Sequence, residues 1–148
     1  MRCGRIPTKI LTMDWKPFAI VVTGDEYFAD PALLTETLCD RSRNLDRSNI
    51  IIRTRGHAKN LHDGKPGVGA EVLAERWAFL FRITTKQIYR KGVTDDCLRL
   101  QERRLFRWAD LSIIFWDGKD ETTKALIKVA KRYCKTVEVV QYQTGQER

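Results

Sequence analysis

Three stretches of this 148-residue chain combine glycine with carboxylate or hydroxyl side chains, the residue types that hold phosphates and sugar hydroxyls. Glycine lets backbone N–H groups approach an anion, and a helix that starts nearby adds unsatisfied donors and a partial positive charge. The stretches therefore predict a ligand site. Its candidate residues are Gly24 and Asp25 in the first stretch, Gly56, Gly67, Gly69 and Glu71 in the second, and Asp117, Gly118, Lys119, Thr122 and Thr123 in the third.

The glycine spacing alone does not define a nucleotide site. Gly67-x-Gly69 precedes a predicted helix, but the chain has neither a complete Gly-x-Gly-x-x-Gly fingerprint nor a Walker A lysine motif. The structural alternative is that Gly24, Gly67 and Gly118 only turn the chain tightly. Both interpretations stay open on the residues alone.

Two carboxylates are weak candidates for acid or base chemistry. Glu71 lies near a helix start, where a glutamate either moves a proton or offsets the helix dipole. Asp117 follows an apolar strand, where it either holds a ribose hydroxyl or forms a turn. His57, His62 and Asp63 share one loop, which is more typical of a polar loop than of a metal site. We therefore predict no metal and no cofactor.

Five apolar segments alternate with helical segments and must position these residues. The predicted strands span 18–23, 49–54, 83–89, 110–116 and 136–141. The alternation predicts a parallel sheet covered on both faces, because parallel neighbours need crossover connections. In such a sheet the three glycine stretches open at one edge, beyond the carboxyl ends of the strands.

The predicted fold class is α/β: a single Rossmann-like three-layer α/β/α domain with a five-stranded, mostly parallel sheet. The domain spans residues 17–142, between a basic arm at 1–16 and a tail at 143–148. No apolar run approaches the roughly 20 residues of a membrane span, and the start of the chain does not look like a signal peptide. The expectation is a cytoplasmic protein without a membrane partner.

The net charge of +8 favours partners that carry phosphate groups. Basic residues concentrate at 41–65 and 82–107, and a basic surface attracts nucleic acid, nucleotides or an acidic protein. A solvated basic exterior is the alternative. Tryptophan can stack on bases, but the spacing of Trp77 and Trp108 predicts core positions for both.

Three segments resemble the YspA-like branch of the SLOG superfamily, a Rossmann-like group related to LOG and DprA proteins. They are VVTGDEYFAD at 21–30, GVGAEVLAERWA at 67–78, and the long segment from ERRLFRWADLSIIFWDGKDETT to KTVEVV at 102–140. The resemblance covers about residues 18–140 and is strongest at 67–78 and 108–123. It implies a Rossmann-like fold and a nucleotide-derived ligand. Members of the LOG group hydrolyse the glycosidic bond of nucleoside monophosphates.

The chain departs from the family pattern at several cationic or close-approach positions. The first-loop arginine of the family falls on Glu26, and its Arg-Asn pair falls on Gln101-Glu102. Its Gly-Thr pair falls on Thr122-Thr123, and its Arg-Gly-Ala-Asp turn falls on 68–71. A glutamate near a phosphate replaces attraction with repulsion.

Three hypotheses follow. The first is a module that binds a nucleotide or nucleotide derivative, as a sensor or to sequester it. The second is an interaction protein with a degenerate site, whose basic surfaces contact nucleic acid or an acidic protein; a small, basic, divergent copy of a widespread fold also fits a phage-encoded protein. The third is a LOG-like nucleotide N-glycosidase, with Glu71 or Asp117 as acid or base. The architecture is compatible with a homodimer.

Overall fold

The computed structural model describes residues 16–25, 27–55, 69–88 and 95–143. The strands in these ranges are β1 (Phe18–Gly24), β2 (Ile50–Thr54), β3 (Thr84–Gln87), β4 (Leu111–Trp116) and β5 (Val137–Gln141). The α-helices are α1 (Pro31–Ser42), α2 (Ala70–Leu80), α3 (Asp95–Phe106) and α4 (Glu121–Tyr133). A 3-10 turn at Arg47–Asn49 leads into β2. Apart from residues 16 and 143, the predicted arm and tail lie outside the described residues.

Helix α1 begins where the sequence provides a cap. The Asp30 side chain accepts a hydrogen bond from the Leu33 N–H (3.0 Å), and Pro31 occupies the first position of α1, as the sequence predicts. The 3-10 turn before β2 is capped in the same way, since Asp46 accepts from the Ser48 N–H (3.1 Å). Both caps lie in the connection between β1 and β2.

All neighbouring strands pair in parallel, in the order β3-β2-β1-β4-β5. The predicted α/β class with a five-stranded parallel sheet between helices is therefore confirmed. Successive strands run outward from β1 through β2 to β3, and the chain then returns to place β4 on the other side of β1. The order reverses between β1 and β4, which makes their carboxyl ends the switch point of the sheet.

Each face of the sheet has its own apolar core, because side chains alternate along a strand. Ile20, Val22, Ile113 and Phe115 point into the core under α1 and α2. The opposite face carries Ala19, Val21 and Ile114, which pack with buried residues of α3 and α4. The two cores hold the central strands β1 and β4 rigidly, and these are the strands whose ends form the switch point.

Two details differ from the expectations. β3 covers 84–87, which is shorter than the predicted 83–89; residue 89 lies outside the described residues. Thr84, Thr85 and Lys86 are exposed, so this edge strand buries few side chains. Trp108 is not a core residue: its side chain is 67% exposed. α3 ends at Phe106, and Trp108 follows with a left-handed φ of 61°, so the helical spacing on which that prediction depended does not reach it.

Replacing Gly24 with alanine is expected to lower the free energy of unfolding by about 3 kcal/mol, because a Cβ there would lie 2.3 Å from the Phe115 carbonyl oxygen. Gly118→Ala is the matched control. Its φ is also positive, but its Cβ would meet the movable end of the Gln141 side chain, so we expect a loss of about 1–2 kcal/mol. Urea denaturation measures both losses. Equal losses would contradict the close approach of β1 and β4.

Candidate functional site

The carboxyl ends of β1 and β4 meet with almost no space between them. Gly24 pairs with Phe115, and the Asp25 N–H donates to the Phe115 carbonyl oxygen at 3.0 Å. Gly24 has a φ of 150° and no room for a side chain. It therefore serves the contact between the two strands, and the side chains just beyond it define the crevice at the switch point.

Asp25 and Asp117, one from each strand end, form a carboxyl pair. Asp25 is only 4% exposed and accepts from the Tyr27 N–H at 2.9 Å. Asp117 is half-buried, and its Oδ1 accepts from the N–H groups of Lys119 and Asp120, both at 2.8 Å. The two carboxyls interact, so the proton affinity of each depends on the charge of the other.

The two members of the pair differ in proton affinity. Burial raises the pKa of Asp25, and the negative charges of Asp117 and Asp120 add to the effect. The pKa of Asp117 is lowered: burial opposes this, but the backbone N–H groups of Lys119 and Asp120 and a hydrogen bond with Asp25 outweigh it. The pair therefore combines a carboxyl that is harder to ionise than usual, Asp25, with one that is easier to ionise, Asp117.

Tyr142, just after β5, adds a third polar group beside Asp25. Its ring packs edge-on to Phe28, with centroids 4.7 Å apart. Burial and the neighbouring Asp25 raise the pKa of Tyr142 far above its usual range, so the phenol keeps its proton. The hydroxyl is buried and interacts with the Asp25 side chain, whose pKa it lowers. The crevice thus contains a protonated phenol beside the carboxyl pair.

Asp120 belongs to the site, although the sequence reasoning did not select it. It caps α4, because its Oδ2 accepts from the Thr123 N–H (2.8 Å) and the Thr123 hydroxyl (2.6 Å). Thr123 is buried by this arrangement, whereas Thr122 is exposed. The donors that the sequence analysis assigned to a phosphate are therefore bound by a carboxylate of the chain itself. An Asp before a helical segment with Thr three residues later is the signal that would have found the cap.

Glu71 is the centre of a buried network rather than a free acid. Glu71 and Arg55 are 3% and 7% exposed and form an ion pair through Arg55 Nε. The Thr23 hydroxyl donates to Glu71 Oε2 at 2.5 Å, and the Arg55 N–H donates to Oε1 at 3.0 Å. Arg55 Nη2 also donates to the Gly24 carbonyl oxygen (3.3 Å). The network ties the ends of β1 and β2 to the start of α2.

Two further predicted residues, Gly69 and Gly118, occupy turns near the crevice. The Gly69 N–H donates to the Phe28 carbonyl oxygen at 2.7 Å, with a φ of 112° at Gly69. Gly118 has a φ of 88° and allows the turn that follows β4. Gly56 and Gly67 lie outside the described residues. The structure thus brings the ends of β1 and β4 together with the start of α2 at one edge of the sheet.

Comparison with known protein families, with characterised proteins and with solved structures finds no match for this chain. The likeness to the SLOG superfamily stays an expectation from the residues. In the part of the chain that the structure describes, no helix combines the length and apolar character needed to cross a membrane. The same part contains no group of three His, Cys, Asp or Glu side chains that could hold a metal ion.

Glu71→Ala is expected to lower the free energy of unfolding by about 3–5 kcal/mol, because it leaves the buried Arg55 charge without its partner. Replacing both residues, as Arg55→Met with Glu71→Leu, is expected to cost much less than the sum of the single changes. Glu75→Ala, which removes a half-buried acceptor of the Thr54 hydroxyl, is a control with a loss of about 1 kcal/mol. Additive losses at Arg55 and Glu71 in urea denaturation would contradict the pair.

Asp25→Asn tests the carboxyl pair through pH. The folded-state pKa of Asp25 lies above its ordinary value of 3.8, so its protonated form contributes stability below that pH, which is lost as pH rises through the raised pKa. Asparagine keeps an oxygen for the Tyr27 N–H and has no charge to bury. We expect the variant to be more stable than the parent near pH 7, with a gap that narrows toward about pH 3.5. The exposed cap variant Asp46→Asn is the control. A gap independent of pH would contradict the shift.

Proposed function

We propose that the chain binds a ribose-bearing, nucleotide-derived ligand in the crevice between the ends of β1 and β4. The observation that carries the proposal is the meeting of Asp25, Asp117 and the Tyr142 hydroxyl at the switch point of a parallel sheet. Open α/β sheets bind ligands at this position, and carboxylates there accept hydrogen bonds from ribose hydroxyls. Ionised Asp117 supplies the acceptor, and Tyr142 supplies a donor.

The electrostatics of the crevice favour the sugar over the phosphate as the group that enters it. Asp25, Asp117 and Asp120 place negative charge or carboxyl oxygens around the strand ends, and Asp120 already caps α4. A phosphate beside these groups would be repelled. We therefore place the phosphates of the ligand away from the carboxyl pair, with the exposed Lys119 on the turn after β4 as the nearest cation.

Binding without hydrolysis fits this geometry better than the N-glycosidase alternative. Glu71, one of the two residues that the alternative offers as acid or base, is engaged by Thr23 and Arg55. Both of its carboxylate oxygens accept hydrogen bonds from the protein itself, which suits a structural role better than proton exchange with a substrate. The likeness to the SLOG superfamily, whose members are associated with nucleotide-derived ligands, agrees with a sensor or sequestering module. A cytoplasmic location belongs to the same proposal.

Isothermal titration calorimetry against AMP, ADP, ADP-ribose and cyclic dinucleotides tests the proposal. We expect one of these probes to bind, and its 2′,3′-dideoxy analogue to bind at least about tenfold more weakly, since each charged hydrogen bond contributes about 1.5–3 kcal/mol. Asp117→Asn keeps the acceptor for the turn N–H groups but removes the charge. This variant should bind the hydroxyl-bearing probe more weakly by a similar factor.

Asp46→Asn is the matched control for Asp117→Asn. Asp46 also accepts a backbone N–H in a short turn, but it precedes β2 and so lies at the opposite edge of the sheet. We expect this variant to bind like the parent. The proposal is contradicted by silence across the whole panel, by equal affinity for the dideoxy analogue, or by equal losses in the two variants.

A further inference from the structure

One face of the sheet is only partly covered by the helices that the structure describes. α3 and α4 pack on β1, β4 and β5, where Ala19, Val21 and Ile114 are buried. The same face of β2 and β3 carries Ile51 and Arg53, which are half-buried, and Lys86, which is exposed. On the other face of β2, by contrast, Ile50 and Ile52 are buried under helices. Two helices do not span five strands, and the uncovered part forms a groove.

The groove has a volume of about 790 Å³ and a strongly basic lining. Its floor includes Ile51 and Ile88, both half-buried. Five cations surround this floor, namely Lys16, Arg53, Lys86, Arg104 and Arg107. Five positive charges around one concave surface attract a polyanion and repel cations.

None of these five cations forms an ion pair with a carboxylate of the described residues. Asp110 is the nearby acid that acts on Arg53, but it accepts from the Ala19 N–H (2.9 Å) and lies 3.7 Å from Lys135. Within the described residues, Arg53 donates to the carbonyl oxygens of Leu105 and Arg107. Burial lowers the pKa of Arg53, which marks a charge that an incoming anion would stabilise.

Trp108 gives the groove a flat, exposed aromatic surface. Its side chain is 67% exposed, and the Arg107 guanidinium lies 4.4 Å from the ring centroid. The left-handed backbone of Trp108 holds the ring at the groove rather than in the core. An exposed tryptophan next to arginine is a stacking platform for a base, and every base can use it.

We propose that this groove binds single-stranded nucleic acid, with the five cations along the phosphates and an unpaired base stacked on Trp108. The aromatic ring favours this partner over an acidic protein, and a duplex keeps its bases out of reach of the ring. The site is separate from the crevice at the switch point, so the proposal stands independently of the proposed function.

Fluorescence anisotropy of a labelled oligothymidylate of about 15 nucleotides tests the inference on the full chain. If all five cations contact phosphates, raising the salt concentration from about 50 to about 200 mM should weaken binding about 100-fold. Each contact contributes about −0.7 to the slope of log affinity against log salt. Lys86→Gln with Arg104→Gln should reduce the slope by about 1.4. Lys124→Gln with Lys131→Gln removes the same charge from the exposed side of α4 and should leave the slope unchanged.

Trp108→Ala separates stacking from charge. We expect the variant to bind the oligonucleotide at least about fivefold more weakly, with an unchanged salt slope. The exposed side chain has no core role, and thermal unfolding checks that each variant is folded. A single-stranded RNA of the same length should bind comparably, and a duplex more weakly. The inference is overturned if the oligonucleotide does not bind at low salt, or if the groove and α4 double variants lose the same amount of salt slope. It is also overturned if Trp108→Ala binds the oligonucleotide like the parent while the parent binds a duplex or heparin as tightly as the oligonucleotide.

Discussion

A parallel strand can follow its neighbour only through a crossover, and the direction of these crossovers reverses once in this chain, after β3. That reversal determines both surfaces of interest. It leaves the ends of β1 and β4 side by side, which opens the crevice at Asp25 and Asp117. It also places α3 and α4 over β1, β4 and β5, so no helix of the described residues covers β2 and β3 on that face.

The two surfaces have opposite charge. The crevice contains carboxyls and a protonated tyrosine, whereas the groove contains five cations and an exposed tryptophan. A long polyanion would be repelled from the crevice and attracted to the groove, while a ribose hydroxyl finds acceptors only in the crevice. The net charge of +8 does not describe either surface. The placement of the charges on particular strand ends and faces is what separates a small-molecule site from a polyanion site.

The fold was predictable because its signal is local and repeated. Apolar runs such as the one at β4 and caps such as Asp30 mark elements without reference to the rest of the chain. The edge strand β3 was harder to delimit, because it buries little and carries charge. Trp108 was misplaced because helical spacing has meaning only while the helix continues, and α3 ends at Phe106.

The meeting of the candidate residues at one edge of the sheet was predictable, but the partners of their side chains were not. A parallel sheet brings Gly24, Asp25 and Asp117 to one edge whatever their side chains do. The partner of each side chain depends on contacts between residues far apart in the chain, as with Glu71 and Thr23, which are 48 positions apart. Local sequence therefore could not show that Glu71 is held in an ion pair, whereas the Asp120 cap joins residues three positions apart and was a local signal that the sequence analysis overlooked.

Nuclear magnetic resonance mapping of amide shifts tests the separation of the two surfaces most directly. ADP-ribose and an oligothymidylate would be titrated in turn into the same uniformly labelled protein. The account predicts two sets of shifted resonances that do not overlap: Asp25, Asp117, Gly118 and Tyr142 with ADP-ribose, and Arg53, Lys86, Arg107 and Trp108 with the oligonucleotide. Shifts of one shared set with both probes, or of neither set, would contradict it.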